Sequence, residues 1–148
     1  MLYFEDFPPG DVRESSGRTI TREEMLTFAR AYDPQPFHLH DKAARASIFG
    51  GLIGSGWLTL AVFMRLMWDA FLKDTASMGS PGVDEIRWVK PVRPGDTLRV
   101  RFTVTEAVPS RSKPDRGVVK SLAEVMNQRG DVVMTVRGLS MFARRPPG

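Results

Sequence analysis

The chain holds two histidines, and both closely follow one aspartate: His38 and His40 stand five and seven residues after Asp33. A carboxylate and an imidazole form a workable acid–base pair, one taking a proton while the other gives one, provided their surroundings separate their pKa values. Pro34 and Pro36 stiffen the segment between them, which suits a preorganised site. The same residues also fit a plainer role, with Asp33 ending a helix and His38 packing in the interior. Two alternate histidines on one short segment do not close a metal site unaided, and no HExxH pattern occurs, so no metal is expected. The second chemical element is the run Gly50-Gly51-Leu52-Ile53-Gly54-Ser55-Gly56. Free backbone N–H groups at a helix start stabilise developing negative charge, and glycine lets a ligand approach the backbone. The run matches neither a Walker loop nor GxGxxG. Tight helix packing is the other use for such glycines.

These groups need elements to hold them. Thr21 is a good N-cap, Glu24 sits at the reciprocal position of a capping box, and Ile20 with Met25 can form the staple. Met25, Phe28, Ala29 and Tyr32 then share one helical face. Pro34 and Pro36 end that helix and leave residues 33–38 as a rigid loop. A short helix is predicted from Asp41 to Ser47. A long one is predicted from about Trp57 to Asp74, apolar on nearly all sides and so buried by something that wraps it. The second half reads as strands: Val83 to Val89, Thr97 to Glu106, Gly117 to Met126 and Val132 to Phe142. In the second of these Leu98, Val100, Phe102 and Val104 alternate with Arg99, Arg101, Thr103 and Thr105, the mark of a sheet with one buried face. Turns are expected at Pro94-Gly95-Asp96 and at Asn127 to Asp131, where Gly130 can take positive φ. The pattern predicts an α+β fold, a curved antiparallel sheet around the long helix.

Composition narrows the chemistry further. A chain of 148 residues with 42% apolar content can bury a core without staples, and one domain over residues 1–148 is expected. The absence of cysteine excludes disulfides, Cys-based zinc sites and a thiol nucleophile. The N-terminus is acidic and aromatic, unlike a secretory signal. The longest uncharged run, Ile48 to Met64, carries four glycines and is shorter than the roughly 20 apolar residues of a spanning helix. A cytoplasmic protein with no membrane partner is therefore expected. The formal charge of +4 raises the question of nucleic acid. Lys and Arg are nevertheless scattered among acids on the strands, without interleaved aromatics, so no nucleic-acid partner is expected.

Taken together, these elements resemble the MaoC-like hot-dog family, which includes R-specific enoyl-CoA hydratases and related dehydratases. The family motif runs approximately Asp-x-Asn-Pro-aliphatic-His, with Ala or Ser some residues later. Asp33-Pro34-Gln35-Pro36-Phe37-His38 is similar, with Ala44 six residues on and Gly56 eighteen residues after His38. Tyr3 to Phe7, Gly10-Asp11 and Lys90 to Asp96 also look typical of the family. The resemblance implies a hot-dog fold, pairing into homodimers or assemblies of dimers through sheet edges, and reversible syn addition of water to trans-2-enoyl-CoA giving an R-3-hydroxyacyl-CoA. It implies that Asp33 and His38 activate the water and that the Gly56 N–H binds the thioester oxygen. It implies no resident cofactor, coenzyme A being part of the substrate. Gln35 stands where the family has Asn, and Ser55 and Trp57 flank the helix glycine where the family often has His and Met. All three are expected at the acyl-CoA substrate, with Trp57 narrowing its tunnel.

Two other readings remain open at this point. A hot-dog thioesterase would want a carboxylate on or near the long helix, and Asp69 is the only acid there before Asp74, more than three turns past Gly56. A non-catalytic acyl-CoA-binding protein is the other. The basic segment 110–117 is either a solvated hairpin tip or a place where Arg111, Lys113 or Arg116 meets coenzyme A phosphates, in its own subunit or the partner's. His40 is expected at the surface or supporting the loop, and Arg144 to Gly148 to be a frayed tail.

Overall fold

In the computed structural model, which describes residues 1–148, helix α1 (Arg22–Tyr32) starts where the Thr21 cap predicts. The Thr21 hydroxyl accepts a hydrogen bond from the Glu24 N–H at 3.1 Å, satisfying one orphan donor of the first turn. The Glu24 carboxylate does not return to Thr21; it pairs with Arg18 at 2.9 Å, so only half of the expected capping box forms. Ile20 and Met25 are both buried in the core. Asp33 caps α1, and Pro36 then opens a single helical turn, α2 (Pro36–Leu39), where a loop was expected. Proline at the first helical position presets φ and lacks an N–H that would be unpaired there anyway. The His40 N–H closes this turn on the Pro36 carbonyl at 2.8 Å. Helix α3 (Asp41–Ala46) follows at once.

Helix α4 (Gly56–Ala70) is the axis of the molecule. Leu58, Val62, Phe63, Leu66 and Met67 are buried in one cluster with Val100, Phe102, Val104, Val119 and Ala123 of the sheet. Burying each such large side chain contributes about 1.5–3 kcal/mol, so this face holds the helix in place. The opposite stripe, Trp57, Ala61, Met64 and Trp68, is exposed. The expected burial on nearly all sides therefore holds for one side of the helix within a single chain. The helix also stops at Ala70 instead of reaching Asp74. Phe71 leaves helical geometry at φ −156° and ψ −27°. Its ring packs between Phe7 and Phe102, with centroids 5.9 and 5.0 Å away. Residues Leu72–Asp74 continue as one 3₁₀ turn.

Six strands wrap this helix: β1 (Val12–Glu14), β2 (Arg18–Thr19), β3 (Val83–Trp88), β4 (Thr97–Pro109), β5 (Arg116–Met126) and β6 (Val132–Ala143). Their order is β1-β4-β5-β6-β3, with β2 also on β4, and every pair is antiparallel. This is the hot-dog arrangement. Leu98, Val100, Phe102 and Val104 face inward as their alternation predicts. The strand runs on past Glu106 to Pro109 because its pairing with β5 resumes after a register shift between Val104 and Glu106. One margin of the sheet is blunted by the short β1 and β2. The other is β3, with its outer edge unpaired and Val83 and Trp88 exposed. The chain end is tied down, contrary to expectation. Arg145 reaches both Asp6 carboxylate oxygens at 2.8 Å, and Arg144 meets Glu5 at 3.1 Å.

Candidate active site

The C-terminus of α1 and the turn α2 bring Asp33 and His38 together. Asp33 Oδ2 lies 3.2 Å from His38 Nε2, and the two side chains are only 15% and 5% exposed. His38 Nδ1 is 2.8 Å from the Ile53 carbonyl oxygen. A carbonyl only accepts, so Nδ1 carries a hydrogen and Nε2 is the nitrogen that faces Asp33. The Ile53 N–H bonds in turn to the Phe37 carbonyl at 3.4 Å. The histidine turn and the glycine run are thus stitched together at two points.

Asp33 receives two further bonds, from Gln35 Nε2 to Oδ1 and from Ser55 Oγ to Oδ2, both at 2.7 Å. Burial on its own raises the Asp33 carboxyl. The hydrogen bonds from Gln35 and Ser55, with the charge of the His38 ring, outweigh burial and hold the group below the ordinary carboxylate value. Asp33 is therefore an ionised base at neutral pH. Gln35 is exposed at the rim and reaches inward to this carboxylate. Ser55, expected at the substrate, is fully buried behind Asp33 and does not line the cavity. Its hydroxyl also accepts from the Trp57 N–H at 3.3 Å, so one side chain both caps α4 and positions the carboxylate.

Gly56 opens α4, and its N–H is a first-turn donor that α4 cannot satisfy from within. Glycine is required here sterically: a Cβ would fall on the Trp88 indole, at 2.5 Å from Cε2. Asp33, His38 and Gly56 line one cavity of about 420 Å³, together with Gln35, Phe37, Ile53, Val92 and Val133. Trp57 also touches this space but is 57% exposed and packs edge-on against Trp88 at 5.2 Å. It stands at the mouth, not deep in a tunnel.

The remaining residues singled out by sequence lie elsewhere. Arg111, Lys113 and Arg116 belong to the β4–β5 hairpin, and Arg116 is paired with Asp115 at 2.9 Å. Val133 lines the cavity, whereas β5 begins beside Ala143, the far end of β6. Ten residues of β6, about 33 Å of strand at about 3.3 Å per residue, separate the hairpin from the cavity within one subunit. His40 is exposed between α2 and α3. Asp69 is turned to solvent and pairs with Arg65 at 3.1 Å. No group of three or more His, Asp or Glu side chains comes together to hold a metal, and no helix is long and apolar enough to cross a membrane. Sequence reasoning missed Trp88, Lys90 and Thr59 as lining residues. Thr59 carried a signal, as a polar residue three positions after Gly56 in an otherwise apolar helix. Trp88 carried none.

A sheet rolled on a central helix, with a carboxylate–imidazole pair sharing a cavity with the helix start, defines a hot-dog protein. The chain belongs to the MaoC-like domain family, whose model matches residues 4–126. Its fold is similar to the crystal structure of a MaoC-like dehydratase from Rhodospirillum rubrum, with 41% identity, a TM-score of 0.92, and coverage of 99% of this chain and 100% of that one. The uncharacterized protein YdeM of Bacillus subtilis is 29% identical over 147 residues, 97% of this chain and 100% of its own length. An (R)-specific enoyl-CoA hydratase of Rhodospirillum rubrum is 27% identical over 116 residues, 75% of each chain.

Proposed function

We propose that the protein adds water reversibly to trans-2-enoyl-CoA thioesters, giving R-3-hydroxyacyl-CoA. The observation that carries this reading is the Asp33–His38 pair, 3.2 Å apart and lining the same cavity as Gly56. The thioester oxygen accepts from the Gly56 N–H. The Asp33 carboxylate takes a proton from water as the water oxygen bonds to C3. The π electrons move toward the thioester oxygen, and His38 Nε2–H protonates C2. The proton on Asp33 then crosses to His38 Nε2 and restores the pair. Both groups act from one side of the enoyl plane, so the addition is syn. One donor to the developing oxyanion is worth about 3–4 kcal/mol. Every proton step runs through side chains of this chain, so no resident cofactor is required.

Pairing of two β3 edges into a homodimer accompanies this reading, since it covers the unpaired outer edge of β3. It also bears on coenzyme A. In an antiparallel edge pair the partner's Val83 end lies beside the Trp88 end of this chain. Val83 pairs with Gly138, and Gly138 with Ser121, five residues from Arg116. From strand spacings of about 4.8 Å and rises of about 3.3 Å, the partner's hairpin comes to about 20 Å from the cavity mouth. That suits the reach of an extended pantetheine arm, which the 33 Å path within one subunit exceeds. Arg111, Lys113 and Arg116 are thus assigned to the coenzyme A phosphates across the dimer. Arg111→Ala and Arg116→Ala should each weaken binding of CoA products; unchanged affinity in both removes this assignment.

Incubation with crotonyl-CoA and longer or branched enoyl-CoAs tests the reaction itself. Loss of enoyl absorbance without free thiol supports hydration. Release of thiol supports a thioesterase, a reading weakened by the solvent-facing Asp69–Arg65 pair.

A further inference from the structure

Thr59 has a polar group that the proposed chemistry has not yet used. It is 4% exposed and lines the cavity. Its hydroxyl makes no hydrogen bond to the protein, yet no buried side-chain oxygen is sealed off without a partner, so this one opens on the cavity. A helical threonine usually bonds back to the carbonyl four residues earlier. Here that carbonyl, on Ser55, already accepts from the N–H groups of Leu58 at 3.0 Å and Thr59 itself at 3.2 Å. The hydroxyl is left free to serve something else. A ligand that fills the cavity without satisfying this hydroxyl would bury it unpaired, at a cost to binding.

Helical geometry says where it is aimed. Thr59 is three residues after Gly56, so the two lie on one face of the first turn of α4, just after the Ser55 cap. That cap meets Asp33 through its hydroxyl at 2.7 Å. Helical side chains lean toward the N-terminus and cover the preceding turn. The Thr59 side chain therefore lies over the turn that Gly56 opens, on the cavity that both residues line. A carbonyl oxygen held by the Gly56 N–H has a second lone pair to fill; the lining residues Ile53, Val92 and Val133 offer no side-chain donor, and the Trp88 indole N–H beside Gly56 is the other side-chain donor close to that point.

We propose that the Thr59 hydroxyl is a second donor to the substrate's thioester oxygen, completing with the Gly56 N–H a two-donor oxyanion site. This rests on the hydratase reading above for its substrate. The hydroxyl tightens its bond as negative charge builds on the oxygen, so its effect falls on turnover more than on binding.

The test compares Thr59→Val, which swaps the hydroxyl for a methyl of the same shape, with Thr59→Ser, which keeps it. Two readouts are taken: kcat and KM for crotonyl-CoA, and the absorbance of bound 4-(dimethylamino)cinnamoyl-CoA, which moves to longer wavelength as its carbonyl is polarised. Thr59→Val should lower kcat about a hundredfold with little change in KM, and should lose much of the red shift; Thr59→Ser should restore both. An unchanged red shift and kcat in Thr59→Val overturns the proposal. So does a loss that Thr59→Ser fails to rescue, which marks a packing role, or one confined to acyl groups bearing polar substituents. If the wild type hydrates no enoyl-CoA yet its red shift falls in Thr59→Val, the hydratase reading fails and the Thr59 donor stands.

Discussion

Ser55 joins the fold to the chemistry through one oxygen, and Ser55→Ala separates what that oxygen does. Two bonds disappear: the donation to Asp33 at 2.7 Å and the cap on the Trp57 N–H at 3.3 Å. Loss of a serine N-cap costs about 1 kcal/mol. A hydrogen bond to a charged acceptor contributes about 1.5–3 kcal/mol, and this one is almost wholly screened from water. Stability should fall by about 2–4 kcal/mol. With an m-value of about 2 kcal/mol/M in urea, the midpoint drops by about 1.5 M while m stays constant. Ser55→Gly keeps most of the cap, because glycine is tolerated there, and so isolates the Asp33 bond. The ionisation of Asp33 must shift as well. Its carboxyl lies below the usual 3.8 in the folded protein, so it adds stability above that value, and this contribution is lost as pH falls through the lower folded value. Removing the Ser55 bond raises the folded value and narrows this window. The acid limb of kcat/KM, which reports the free enzyme's base, should therefore move to higher pH in Ser55→Ala. A variant with the wild-type urea midpoint and an unmoved acid limb would refute the positioning role given to Ser55.

Two further outcomes follow from packing and from the sheet edge. Gly56→Ala should push the Trp88 indole from its seat, lowering stability by about 1–3 kcal/mol, with a change in tryptophan emission and a fall in turnover; a variant with native emission and rate would show that Trp88 has room to spare. Val83→Asp, at an exposed position on the free β3 edge, should shift the protein from dimer to monomer in sedimentation velocity while the thermal midpoint of the chain itself changes little. A dimer that survives this change does not use that edge.

Local chemistry made much of the fold readable. Thr21 announces α1, the Leu98–Val104 alternation announces the inward face of β4, and the long apolar helix demands a wrapping sheet. The Asp33–His38 segment was legible because its residues are close in sequence and stiffened by proline. What stayed hidden depends on long-range closure. Ser55 meets Asp33 across 22 residues, and Arg145 meets Asp6 across 139. The premature end of α4 is set by the rings of Phe7 and Phe102 around Phe71, which no helical periodicity reveals. The exposed stripe on α4 reads as core in sequence because its residues are apolar, and only the single chain's geometry shows that the sheet covers one side. The seat of Trp88 over Gly56 joins residues from two elements that share no local pattern.

The central claim is that Asp33 and His38 perform the proton transfers of hydration. The most direct measurement is the rate of enoyl absorbance loss with crotonyl-CoA for wild type, Asp33→Asn and His38→Gln, with free thiol followed in the same cuvette. The wild type should consume the enoyl group without releasing thiol, and each variant should be slower by at least about a hundredfold. Variants that keep the wild-type rate would contradict the account.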